Sequence, residues 1–274
     1  MISSQSIPLR AMLAVTSFAG AIAFAMACSD SSAPVATERT IEGAALALGQ
    51  GTARTWVTLS ADGAPTALGI KLSETALSGL PSTPMPNMPS AVMLILPLPA
   101  EAKITGFDHV AVDWNPNGHD PVQIYGAPHF DFHFYTVSDS AQKAILPSDP
   151  QWAAKAANFP AAAFIPTGYV PPPGVPAAST IPVMGLHWTD VASPELNGKP
   201  FTSTFIFGSY DGRFIFIEPM ITKAYLESHP SATVAVPQPS RWAKPGYYPL
   251  NYTVAYDATA KEYRIVLASL TKRE

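Results

Sequence analysis

The sequence predicts a mainly antiparallel β fold with short helices, of the α+β kind and shaped as a sandwich or barrel. Three observations carry that expectation. β-rich runs recur with Asp-Gly turns between them, a strict apolar/polar alternation runs from His129 to Tyr135, and few stretches read as long helices. The 274 residues are 47% hydrophobic, enough for a substantial core. Only 13% are charged, against about 25% in an average soluble domain. A formal charge of -4 argues against a nucleic-acid partner. The single Cys excludes an internal disulfide framework, a four-Cys zinc site and a CxxC redox pair.

The N-terminus reads as an export signal. Arg10 is the only charged side chain before Cys28, Ala11 to Ala27 are almost all small or apolar, and the stretch closes on Ala25-Met26-Ala27-Cys28. Residues 1–27 are therefore expected to be a signal peptide. Cys28 is the expected lipidation site of a lipobox in which Ala25 stands where Leu is preferred. The other reading is ordinary cleavage after Ala27, leaving a free thiol. Lipidation would make the protein an exported, membrane-anchored lipoprotein on the outer-membrane, periplasmic or surface face. Residues 28–45 are then the lipidated Cys and a flexible tether, and 46–274 a single β-rich domain, with 46–80 a candidate N-terminal hairpin subdomain.

Along the domain, Thr55–Ser60 and Thr66–Leu72 flank an Asp62-Gly63 turn and predict a hairpin. Ser73–Leu77 predicts a short helix, and Pro81, Pro84, Pro86 and Pro89 an extended connector. Ala91–Leu96 is continuously apolar and predicts a buried strand; Gly106–Trp114 predicts another. After the strand beginning at His129 come two short helices, Asp139–Leu146 and Gln151–Ala157, and an irregular Ala/Pro-rich arm over 160–182. Phe201–Gly208 and Arg213–Ile217 flank Asp211-Gly212 as a second hairpin, Ile221–Ser228 predicts a helix, and Tyr247–Tyr256 with Glu262–Ser269 predict a third hairpin.

The chemistry concentrates in Pro128-His129-Phe130-Asp131-Phe132-His133-Phe134-Tyr135. Strand side chains alternate faces, so Phe130, Phe132 and Phe134 share one side and His129, Asp131, His133 and Tyr135 the other. Burial of the three rings fixes the register, and the polar side must face water, a pocket or a metal. At about 3.3 Å per residue, His129 and His133 stand roughly 13 Å apart. Metal–nitrogen bonds are about 2.0–2.1 Å, so the two share one ion only on a bent or fully stretched strand. Further ligands must come from elsewhere. His187, in an apolar segment, and Glu218, at the end of an apolar run, complete a candidate metal set of His129, His133, His187 and Glu218. Asp131, Tyr135 and His119 are candidate orienting groups around it. The expected cofactor is a divalent metal, zinc or manganese. A hydrogen-bonded network without metal stays open, as does an ion pair of Glu218 with Arg213 or Lys223.

Trp114-Asn115-Pro116-Asn117-Gly118-His119, the strand from Pro128 to Tyr135, Gly185-Leu186-His187-Trp188 and the run from Phe207 to Met220 resemble a family of exported bacterial proteins without established activity. It is typified by a Thermus protein under sigma-E/anti-sigma-E control that assembles as a large ring-like oligomer. The likeness spans roughly residues 90–225. It implies an envelope or stress-associated protein that forms a homo-oligomer, with the His/Asp strand as its site. The Pro/Ala-rich stretch near 166–182 departs from the pattern, so the oligomer size does not carry over.

The reading that follows is an exported cell-envelope lipoprotein whose His/Asp pocket binds a divalent metal or a small ligand. Two alternatives stand beside it: a zinc- or manganese-dependent envelope enzyme, and a structural, oligomer-forming lipoprotein without catalysis.

Overall fold

The computed structural model describes residues 37–274. The expected signal peptide (1–27) and Cys28 lie outside the described residues. The strands, in chain order, are β1 (Arg39–Glu42), β2 (Leu46–Leu48), β3 (Gly51–Leu59), β4 (Pro65–Ser73), β5 (Val92–Pro97), β6 (His109–Asn115) and β7 (His129–Tyr135). They continue with β8 (Tyr169–Val170), β9 (Thr180–Ile181), β10 (Gly185–Asp190), β11 (Ser203–Tyr210) and β12 (Arg213–Thr222). The last are β13 (Ser231–Ala235), β14 (Gly246–Tyr248), β15 (Asn251–Asp257), β16 (Glu262–Ala268) and β17 (Thr271–Arg273).

Two large antiparallel sheets result. The first runs β1-β3-β4-β16-β15-β13, with β2 beside β3; the second runs β5-β6-β7-β12-β11-β10-β8, with β9 beside β10. Neither closes into a barrel, so the architecture is sandwich-like. The inner faces form one apolar cluster, with Val57, Leu68, Ile70 and Leu72 from the first sheet and Val110, Val112, Phe205, Phe207 and Ile217 from the second. Phe130, Phe132 and Phe134 of β7 lie in it, each fully buried. At about 1.5–3 kcal/mol per buried aromatic side chain, these three rings alone hold β7 in register. A one-residue slip would exchange them for His and Asp.

Several elements differ from expectation. Residues 39–42 fall in the stretch expected as tether, yet they pair with β3 from Arg39↔Leu59 to Glu42↔Trp56. The 46–80 hairpin is no separate subdomain: β4 pairs with β16 along seven residues and buries Leu68, Ile70 and Leu72 in the common core. The apolar run at 91–96 forms β5, an edge strand of which Ile95 is exposed, because its second side has no neighbour. β12 extends to Thr222, so the helix after it shortens to Lys223–Glu227, capped by the Thr222 side chain. The Ala/Pro-rich arm carries β8, β9 and one-turn helices. No helix among the described residues is long and apolar enough to cross a membrane.

The outer face of the second sheet is also covered. One apolar cluster there contains Ala111, Tyr135, Val137, Ile145, Met184, Tyr210, Ile215 and Phe216; another contains Tyr125, Phe201, Ile206 and Met220. Between them the sheet presents its polar residues. β7 is therefore buried on both faces, whereas the alternation alone suggests one open side.

Candidate functional site

Register assembles the site. Across β6 and β7, Asp113 stands opposite Asp131, Asn115 opposite His129 and Ala111 opposite His133. Across β7 and β12, Ile217 pairs with Phe134 and Met220 with Asp131, a register that sets Glu218 against His133. On the far side His187 of β10 is opposite Gly208 of β11, which is opposite Phe216 of β12. The outward positions of four strands thus meet on one face.

There the titratable groups separate into two sets. In the first, the Nε2 atoms of His133 and His187 each lie 3.5 Å from Glu218 Oε2. His133 and Glu218 are about 1% exposed, while 21% of the His187 side chain reaches solvent. Behind His133, Asp113 Oδ2 is 3.1 Å from Nδ1. This is ion-pair distance, although the angle is poor for a hydrogen bond and both atoms count as unpartnered. Phe216 packs against both imidazoles, with ring centroids 4.8 Å from His133 and 5.2 Å from His187, while the imidazoles themselves meet edge to face at 6.1 Å. The Phe216 ring fits there because Gly208 has no side chain: a Cβ would lie 1.9 Å from it.

In the second set, Asp131 Oδ1 is 3.1 Å from His129 Nε2, and its Oδ2 is 3.6 Å from His119 Nε2. Asn115 Nδ2 donates to Asp131 Oδ2 at 2.7 Å, and Ser90 Oγ donates to Asn115 Oδ1 at 3.0 Å. His119 comes from the loop before the helix Val122–Tyr125, with its backbone N–H on the Tyr125 carbonyl. Gly118 makes that loop feasible, since it has φ +65° and a Cβ would meet the Tyr125 carbonyl at 2.1 Å. Each set brings three donor atoms within 4.8 Å of one another, so each has residues that could hold a metal ion.

The electrostatics follow from burial of carboxylates and imidazoles together. Burial pushes Glu218 up to about 8 and also raises Asp113. Burial opposes charge on His133, but Glu218 and Asp113 outweigh it and lift this residue to about 9. His119 rises to about 9 against its own burial, through Asp131. Asp131 is held well below the carboxylate range because His129 and His119 overcome its desolvation. Burial, with the neighbouring His133 charge, drives His187 down to about 3 and leaves it a neutral imidazole.

Of the metal set expected from sequence, His133, His187 and Glu218 come together, and His129 does not join them. Spacing along β7 places His129 with His119 and Asp131 instead. Tyr135 stacks on His133 with centroids 5.7 Å apart, while its hydroxyl donates to the Val183 carbonyl at 3.3 Å, so its contact with the site is through the ring face. The ion pairs considered for Glu218 do not form; Lys223 bonds Glu227. Asp113 and Asn115 were missed. Their signal was present as polar residues at alternate positions of an apolar strand, but only the register shows that they back His133 and Asp131.

One comparison with known proteins bears on this chain. Residues 60–114 match the TTHB210-like family, described as hypothetical protein TTHB210. The match agrees with the family resemblance carried by the motifs. It covers β4 to Trp114 of β6, so it includes Asp113 but none of the imidazoles or carboxylates of the two sets. No curated protein and no solved structure matches the chain.

Proposed function

We propose that this protein is an exported cell-envelope lipoprotein that binds a divalent metal ion on His133, His187 and Glu218. The supporting observation is a spacing. Charge-assisted hydrogen bonds close to about 2.7–2.9 Å, whereas both imidazoles stand 3.5 Å from Glu218 Oε2. Two donors each about 2.1 Å from a shared tetrahedral ion lie about 3.4 Å apart. The distances thus suit donors around a cation better than donors bonded to each other. Two imidazoles and a carboxylate favour zinc, with manganese the second choice. Asp113 at the outer nitrogen of His133 is the partner that metal-bound imidazoles usually have.

Three protein donors leave a fourth coordination position, and the solvent-reaching edge of His187 marks its side. That favours, as a second reading, a metal-dependent envelope enzyme in which the ion polarises a substrate or activates water. Binding ranks first because His133 and Glu218 are sealed from solvent. Membrane attachment through Cys28 and self-assembly complete the proposal.

Elemental analysis of protein purified from membranes checks the metal. The expected result is a transition ion that His187→Ala removes; no ion, with melting unchanged by zinc or manganese, would overturn the reading. Labelled palmitate should enter the wild-type chain and not Cys28→Ser, and unchanged membrane fractionation of that variant would refute the anchor.

A further inference from the structure

We infer that the same sheet face holds a second divalent-cation site, on His119, His129 and Asp131, filled independently of the one on His133, His187 and Glu218. The argument starts with the tautomers. His129 Nδ1 lies 2.7 Å from the Ala127 carbonyl, and His119 Nδ1 lies 2.9 Å from the Asp120 carbonyl. A carbonyl oxygen only accepts, so each Nδ1 carries a hydrogen, and each ring in its neutral, metal-binding form turns its Nε2 lone pair the other way. Both lone pairs point at one carboxylate. Nε2 of His129 is 3.1 Å from Asp131 Oδ1, and Nε2 of His119 is 3.6 Å from Oδ2.

Lone pairs facing a carboxylate at these distances repel unless positive charge stands between them, supplied in the metal-free protein by a proton, as on His119, and in the loaded protein by a cation that displaces it. His129 is fully buried and Asp131 is 5% exposed, so water does not screen the repulsion. His129 Nε2 and Asp131 Oδ1 have no hydrogen-bond partner. The carboxylate is nevertheless fixed in place, because Ser90 holds Asn115 and Asn115 holds Oδ2. Such an arrangement is a prepared cavity for a cation, with separations of 3.1 and 3.6 Å that bracket the roughly 3.4 Å expected around a tetrahedral ion. Two imidazole nitrogens and a carboxylate oxygen again favour zinc. No residue belongs to both sets. Asp131 and His133 are neighbours on the same face of β7, yet Asp131 turns to His129 and His119 and His133 to Glu218, so each site keeps its own donors. This site goes beyond the proposed function and neither requires it nor is required by it.

The test uses the mature chain, stripped with chelator and titrated with zinc alone, with the ions per chain counted by calorimetry and elemental analysis. Wild type should take up two ions. His119→Ala, a change at a partly exposed loop residue, should leave one, and His187→Ala should leave the other. Asp131→Asn, which preserves side-chain shape, should weaken or lose the same ion as His119→Ala, by at least the roughly 10–100-fold that loss of an outer-shell partner costs. One ion in wild type, kept by His119→Ala and lost by His187→Ala, overturns this inference. One ion lost by His119→Ala alone supports it and overturns the site of the preceding section. No ion at all overturns both.

Discussion

Asp113 is fully buried and contacts the site only through His133. If His133 holds an ion, the carboxylate at its outer nitrogen fixes the ring and strengthens the donor, an effect worth about 10–100-fold in metal affinity. Asp113→Asn should therefore weaken zinc binding at the His133 set by that factor in a chelator-competition titration, while Tyr135→Phe, whose hydroxyl points to Val183, should leave it unchanged. Equal affinities for wild type and Asp113→Asn would refute the role. At this scale the sequence was legible for residue types. His133, His187 and Glu218 were nameable because an imidazole or carboxylate in an apolar segment needs a partner. Asp113 was not, since its neighbour is set by strand pairing.

Within the elements, β7 is the clearest case of local pattern becoming structure, for its alternating rings all enter the core. The opposite face behaved less simply, because a second apolar layer covers it. Gly208 joins β10 to β12 at the site. Any side chain there strikes the Phe216 ring, which packs against both His133 and His187. Gly208→Ala should displace Phe216, remove its support from the two imidazoles and lower zinc affinity at that set, with a destabilisation of about 1–3 kcal/mol from overpacking. Chemical denaturation alongside zinc titration measures both effects. Wild-type affinity in Gly208→Ala would show that Phe216 does not set the donor spacing.

For the whole molecule, the N-terminal and C-terminal hairpins complete one sheet through β4 and β16. The site is carried by the other sheet and gains its rigidity from the shared core. The metal-free protein keeps buried imidazoles and carboxylates by holding protons among them. His133 and His119 bind theirs more tightly folded, near 9, than in an unfolded chain, near 6.5, and Glu218 does likewise at about 8 against 4.5. The stability from the two imidazole protons is present below pH 6.5 and is lost as pH rises through 9, whereas that from Glu218 is full only below pH 4.5 and is gone above 8. His187 and Asp131 have shifts of the opposite direction whose effect is complete below that window. Melting of the chelator-treated protein should therefore fall between pH 6.5 and 9, each lost kcal/mol lowering Tm by roughly 2–4 °C. Saturating zinc should flatten the decline, because the ion replaces the protons. Calorimetric scans that stay level without metal would contradict the linkage.

The sequence by itself determined the β character, which face of β7 turns to the core and the kinds of side chain that meet at the site, because alternation and residue chemistry are local properties. Only the tertiary structure decided that His129 and His133 serve different sets, that Asp113 and Asn115 back them, and that the first hairpin belongs to a sheet closed by the last. Those outcomes depend on which strands pair and in what register. Pairing is selected by burial over the whole core, and no single segment encodes it.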